Sequence, residues 1–161
     1  MTIHSIPFRI NYSFLFFLLS LNLTFGQNNN IATTFNLTLQ HTTVVVSNFE
    51  KSKAFYTEIL GLKDLHAVGL PKNQMFLSLG NNLELHVGEV EGVEIRPSNF
   101  NHFAISTNDL DGYLKYLESK GVMYYSLGGK QKKFIQTRKD GVRQTFIQDP
   151  DGYWIEINDA N

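Results

Sequence analysis

No cysteine occurs among the 161 residues. That absence excludes disulfide bonds, thiolate metal sites and cysteine nucleophiles, and it removes the lipoprotein form of an exported protein. Extended hydrophobic runs are scarce as well. The apolar run at 12–23 is about a dozen residues against the ~20 that a spanning helix needs, so no stable membrane anchor is expected. Arg9 precedes this run, and Thr24, Phe25 and Gly26 separate it from a polar stretch opening at Gln27. That is the layout of a secretory signal peptide over 1–26, cleaved near Gly26, and it predicts a periplasmic or extracellular protein. Positive charge is not in excess either. Residues 1–26 hold one cation, Arg9, and no acid, so the remainder carries 13 Lys and Arg against 15 Asp and Glu, formally −2. Such a balance argues against nucleic acid as the main partner.

What is present is internal repetition. After a polar lead-in at 27–35 (QNNNIATTF), one domain remains over 36–161, long enough to bury a core without staples. Moving 61 residues along the chain carries His41 onto His102 and Phe49 onto Leu110. Each half then reads as a strand with the histidine (37–46; 100–106), a polar cap, a helix and three strands. Asn48 caps the first helix, Phe49, Ala54, Phe55, Ile59 and Leu60 form its apolar face, and Gly61 stops it. The second helix runs over 110–119 with Asn108 or Asp109 as its cap and Gly121 as its end. Alternating stretches at 63–68, 75–79 and 83–88, then at 122–127, 142–148 and 153–158, supply the strands. The predicted fold class is α+β: two βαβββ modules, 36–89 and 100–161, joined by a linker over 90–99.

Successive strand residues point to opposite sides of a sheet, so parity sorts the side chains. Val44, Val46, Leu85, Val87, Phe103, Ile105, Ile155 and Ile157 fall under the helices. His41, Glu84, His86, His102, Trp154, Glu156 and Asn158 fall on the opposite face. Two histidines with two carboxylates, His41, Glu84, His102 and Glu156, make a ligand set for one divalent ion. Left without a common partner, each buried polar group would cost about 1–3 kcal/mol.

The segments QHTTVVVSNFEKSKAFYTEILGLK (40–63), LELHVG (83–88), NHFAIST (101–107) and FIQDPDGYWIEI (146–157) resemble the vicinal oxygen chelate superfamily, which includes glyoxalase I, fosfomycin-modifying transferases and extradiol dioxygenases. The last segment is especially close to glyoxalase I. The resemblance implies curved mixed sheets from the paired modules around a metal site held by His41, Glu84, His102 and Glu156. It further implies a lyase or isomerase that binds one divalent ion per site, zinc or nickel foremost and cobalt, manganese or iron as alternatives. In such an enzyme a small substrate chelates the ion through adjacent oxygens. Glu156, with Glu84 as the paired carboxylate, moves a proton between neighbouring carbons through an enediolate. Relatives of this length form homodimers with sites shared between chains, and the short linker favours the same arrangement here.

His86, Phe146, Arg138, Arg143 and Trp154 complete the expected substrate-binding set. His86 reads as a hydrogen-bonding neighbour of Glu84, an auxiliary base or a replacement ligand. Phe146 corresponds to an aromatic lining the glyoxalase I pocket, or it belongs to the core. Lys130, Lys132, Lys133, Arg138, Lys139 and Arg143 lie in a glycine-bearing segment that is either a solvated loop or, hinged at Gly128-Gly129, a lid for an anionic substrate. Asp149-Pro150-Asp151-Gly152 reads as the turn that sets the register of Glu156. The pattern departs from glyoxalase I at Val45 and Gly88, where an arginine and an asparagine hold glutathione carboxylates in that family, so two expected hydrogen bonds to glutathione are missing. A fosfomycin-type transferase or extradiol-type dioxygenase needs only His41, His102 and Glu156, leaving Glu84 surplus. Non-catalytic small-molecule binding or resistance proteins of the superfamily lack the metal shell, and Glu84 therefore favours the four-ligand type.

Overall fold

The computed structural model describes residues 36–160, and the expected signal peptide and lead-in lie outside them. From Thr38 onward the chain forms a single unit. Its first strand, β1 (His41–Val46, HTTVVV), is rich in β-branched side chains that suit a pleated surface. Asn48 ends it and caps α1 (Phe49–Ala54): the Asn48 side chain accepts the Lys51 N–H at 2.9 Å. Glu89 accepts the Phe49 N–H at 2.8 Å, which satisfies another free donor of the first turn and adds negative charge at the positive helix end. The helix passes into one π-helical turn, Phe55–Ile59, and Gly61 stops it at φ +75°. Three strands follow, β2 (Lys63–Asp64), β3 (Gln74–Gly80) and β4 (Leu83–Glu89). Asn81 and Asn82 join β3 to β4 with positive φ at both positions, the mirror-image turn that matches strand twist.

The second half repeats the order with β5 (Phe103–Ser106), α2 (Leu110–Ser119), β6 (Gln136–Thr137), β7 (Arg143–Gln148) and β8 (Trp154–Asn158). Asp109 rather than Asn108 is the cap, accepting the Gly112 N–H at 2.8 Å. The two four-stranded mixed sheets have the orders β1-β4-β3-β2 and β5-β8-β7-β6, with a parallel pair at β1-β4 and at β5-β8 and antiparallel pairs elsewhere. The α+β class and the paired βαβββ topology are therefore as the sequence predicts.

The strands differ from expectation in several places, and β6 falls in the basic segment expected to be a loop or lid. The histidine strands are shorter, starting at His41 and Phe103, and β2 has two residues. Residues 122–127 form no strand. Tyr125 exchanges one pair of backbone hydrogen bonds with Phe146, at 2.8 and 3.0 Å, before Ser126 and the following glycines turn the chain away. That single pair leaves β6 as the outer strand.

Parity works as predicted on the helix side. Val44, Val46, Leu77, Leu85 and Val87 pack with Phe49, Phe55 and Tyr56, and Ile147, Ile155 and Ile157 with Leu110, Leu114 and Leu117. Full burial of each Leu, Ile or Val side chain is worth roughly 1.5–3 kcal/mol. The Asp149–Gly152 turn does more than set the register of β8. Asp149 is buried and accepts the Tyr56 hydroxyl of the π-helical turn that continues α1 at 2.7 Å, while Asp151 accepts the Ser47 N–H at 3.1 Å and its hydroxyl as well. At the far end of α1, Tyr113 and Tyr116 of α2 donate to the Leu60 and Glu58 carbonyls at 3.1 and 3.3 Å. Module two thus grips both ends of the helix of module one.

Candidate metal centre

The register of β1 against β4 pairs His41 with Glu84, placing them side by side on the face away from α1. The His41 ring donates Nδ1–H to the Gln40 side-chain oxygen, which leaves Nε2 with a free lone pair. On β4 the His86 Nε2 donates to Glu84 Oε2 at 2.8 Å. This hydrogen bond is the largest influence on the Glu84 carboxyl and holds it below the usual glutamate range, with Gln40 and His41 adding to the effect. His86 is stacked on both sides, against Phe76 at 3.5 Å and against His41 at 4.2 Å between ring centres.

Module two repeats the arrangement with different atoms. His102 lies just before β5 and donates Nδ1–H to the Asn99 carbonyl at 2.9 Å. Its Nε2 then faces Glu156 Oε2 at 3.4 Å. A neutral ring in this tautomer presents a lone pair beside the carboxylate oxygen, two donor atoms of the kind a divalent ion takes. The other oxygen of Glu156 accepts the Asn158 amide at 2.6 Å, and the Asn158 oxygen accepts the Ala160 N–H at 3.2 Å, which fixes the amide's direction. Phe146, opposite Glu156 in register and 1% exposed, meets the His102 ring edge-on at 5.3 Å.

These four residues fit a divalent ion by chemistry. Each imidazole is fixed through Nδ1 with Nε2 left as donor, and each carboxylate has one oxygen held by its neighbour two residues along the strand. Within one chain they form two half-sites. Among the described residues no three His, Asp or Glu side chains converge tightly enough to hold an ion. His41, Glu84 and His102 border one cleft of about 440 Å³, and Glu156 is not on its wall.

The other expected residues are placed as follows. His86 belongs to the first half-site, bordering a depression of about 200 Å³ with Thr43, Val45, Phe76 and Gly88. Trp154 is buried against the Tyr125 ring at 6.3 Å, and a Cβ on Gly129, which has φ +75°, would stand 3.2 Å from it. Arg143 forms a two-pronged pair with Asp111 at 2.6 and 3.0 Å, and Arg138 pairs with Asp140 at 2.6 Å. Lys133 reaches Glu118 at 3.0 Å, so part of the basic segment is engaged with surface acids. Asn158, Gln40 and the Asn99 carbonyl were not singled out in sequence for these roles. For Asn158 the signal was its place two residues after Glu156 on the same face.

The profile of the "Glyoxalase/Bleomycin resistance protein/Dioxygenase superfamily" matches residues 38–157. A lactoylglutathione lyase of Schizosaccharomyces pombe is 26% identical over 147 residues, covering 74% of this chain and 46% of that protein. The chain thus spans about half the length of that relative. A lactoylglutathione lyase of Salmonella typhimurium is 28% identical over 130 residues, covering 76% of this chain and 92% of the other. Among solved structures, "Oxidase ChaP-H2" superposes with a TM-score of 0.63 at 25% identity, covering 78% of this chain and 94% of that one. Superfamily members are mostly enzymes, generally bind a divalent metal ion, and commonly act on small molecules as dimers. With a profile that spans nearly all of the described residues, the chain belongs to the glyoxalase, bleomycin resistance protein and dioxygenase superfamily.

Proposed function

We propose that the protein is a metal-dependent lyase or isomerase of the glyoxalase I type, acting on a small substrate that chelates through adjacent oxygens. The observation that carries this reading is the pair of matched half-sites, His41 with Glu84 and His102 with Glu156, each with one imidazole nitrogen and one carboxylate oxygen left free. Together these residues would hold the ion, with zinc or nickel foremost as the resemblance to glyoxalase I implies, and the mixed nitrogen and oxygen set equally suits cobalt, manganese or iron. When bound, a divalent ion supplies Lewis acidity that polarises the chelating oxygens and acidifies the neighbouring C–H.

The chain's own residues divide the remaining work. Glu156 is 8% exposed and anchored through Oε1 by Asn158, so Oε2 is the atom placed to take a proton from one carbon and return it to the next. Phe146 walls that carboxylate and helps exclude water. Val45 and Gly88 offer neither cation nor amide in the depression bordered by His86, so the substrate is not tethered there as a glutathione adduct would be. Since one chain leaves the half-sites unjoined, a homodimer with sites shared between copies completes the shell.

Purified protein should hold one divalent ion per chain by elemental analysis. Glu156→Gln should lower kcat on the best α-hydroxycarbonyl substrate, including the hydrate or thiol adduct of a 2-oxoaldehyde, by at least about a hundredfold while its circular dichroism stays that of the parent, because amide replaces base at nearly unchanged shape. A metal-free protein, or a Glu156→Gln chain of parental kcat, would refute the reading.

A further inference from the structure

His86 sits in the half-site of module one without a role in proton transfer or in the four-residue shell. Its ring is the middle of a column running across three strands. Phe76 of β3 stacks on one side with ring planes 5° apart, and His41 of β1 stacks on the other with planes 7° apart at 4.2 Å. The register explains the column, since Phe76 is the cross-strand partner of His86 and His41 that of Glu84, all on the face away from α1. The ring's Nε2–H meanwhile donates to Glu84 Oε2 at 2.8 Å.

Two readings of this histidine conflict with that geometry. An imidazole binds a metal along a lone pair in the plane of its ring. With the His41 and His86 planes parallel and offset, an ion in the plane of His41 lies well out of the plane of His86. The nitrogen of His86 nearest the carboxylate is already committed as a donor. His86 therefore does not ligate the ion beside His41, and Nε2 is not placed as a base. What it does touch is both residues of the half-site, one through the ring face and the other through N–H.

We infer that His86 is a positioning residue that sets both ligands of module one at once, fixing the His41 ring plane by stacking and one oxygen of Glu84 by hydrogen bonding. This rests on the metal-site reading above and adds to it. The repeat supports it, because Asn158 stands two residues after Glu156 as His86 stands two after Glu84, and it also donates to its carboxylate, at 2.6 Å. Module two lacks the ring column there. Its histidine is instead steadied edge-on by Phe146. The two ligand pairs are thus held by different means, one by an amide and a separate edge-on ring and the other by a single donor that doubles as a stacking surface.

The test is a Co²⁺ titration of metal-stripped full-length protein, following affinity and the visible d–d bands, for the parent and three variants. His86→Phe keeps the column and loses the donor. His86→Gln keeps a donor and loses the ring. His86→Ala loses both. Partners that orient ligands typically contribute 10- to 100-fold in affinity, so Phe and Gln should each weaken Co²⁺ binding by about tenfold and Ala by up to about a hundredfold. Band positions should shift while the stoichiometry is kept. Parental affinity and bands in all three variants would overturn the inference, even if their melting temperatures fall, and so would equal loss in all three with a changed coordination number, the mark of a ligand. Parental protein that takes up no Co²⁺ would overturn the metal-site reading itself, whereas loss of binding in His41→Ala alongside unaffected His86 variants would sink only the positioning role.

Discussion

Asn158 shows how much a single side chain decides at this site. Its amide holds Glu156 Oε1 at 2.6 Å in a setting where both residues are buried, so removing it strands a carboxylate oxygen away from water. Asn158→Ala should cost about 1–3 kcal/mol in urea denaturation, as expected for an unsatisfied buried acceptor. A loss under about 0.3 kcal/mol would mean that water replaces the amide at once. The facing of this residue was legible from strand parity, as it was for His41, Glu84, His86, His102 and Glu156. Its partner was not, because period-2 alternation sorts residues by side and carries no information on which polar atoms meet. Trp154 and Arg143 make the same point. Parity put Trp154 on the site face, and packing covers it with Tyr125 and Gly129. Arg143 heads β7 and is drawn to Asp111 on α2, 32 residues away in sequence.

Among the elements, the Asp149–Gly152 turn and α1 form the main polar join between modules. Tyr56 is fully buried, and burial together with the neighbouring Asp149 charge pushes its hydroxyl far above the ordinary tyrosine range, so it remains a donor at any working pH. Tyr56→Phe removes the donor to Asp149 Oδ2 and should cost about 1–3 kcal/mol by thermal or urea unfolding. Asp149 supplies a pH test. Burial raises its carboxyl above the usual aspartate value, outweighing the hydrogen bonds from Tyr56, Tyr153 and Asp151. The native state therefore binds more protons than the unfolded chain between the two pKa values, and stability present below the ordinary aspartate pKa is lost as pH rises through the raised native one. An asparagine in place of this acid keeps a comparable shape, with its oxygen on the Asp151 and Tyr153 N–H groups and its amide on the Tyr56 hydroxyl. Asp149→Asn should accordingly flatten this part of the stability-pH curve, and a curve that falls as steeply as the parent's would assign the slope to another group. The Asn48 cap, the stops at Gly61 and Gly121 and the turn itself were readable because each is a local motif, and the second cap was narrowed to Asn108 or Asp109. The π-turn at Phe55–Ile59 and the shortfall at 122–127 carry no such local mark.

For the whole molecule the deciding question is which half-sites meet. One chain brings His41, Glu84 and His102 to a common cleft without closing a shell, and it leaves Leu39 at 71% and Phe100 at 82% exposure beside the histidine strands. Exposed apolar groups next to unfinished ligand pairs are what a second copy would cover. A subunit-mixing experiment decides this. His41→Ala and Glu156→Gln chains, each inactive alone, should recover about half the parental activity per heterodimer if sites are shared, since one site then gathers both lesions and the other none. Demonstrated subunit exchange with no recovery would assign each site to a single chain.

Although it misplaced the first strand after the second helix, which forms at Gln136–Thr137 rather than over 122–127, the sequence by itself determined the duplication, the α+β class, the helix stops and the face on which each chemical group stands. Those follow from backbone periodicity, capping chemistry and hydrophobic patterning, all set by neighbours within a few residues. Only the tertiary structure decided the grip of the 149–152 turn on the first helix and its π-turn, the ring column through Phe76, His86 and His41, the surface pairing of Arg138 and Arg143, and the separation of the four candidate ligands into two pairs. Each of these depends on distances of a few ångströms between residues on different elements. Such distances are set by how whole elements pack, and the same local pattern is compatible with many packings.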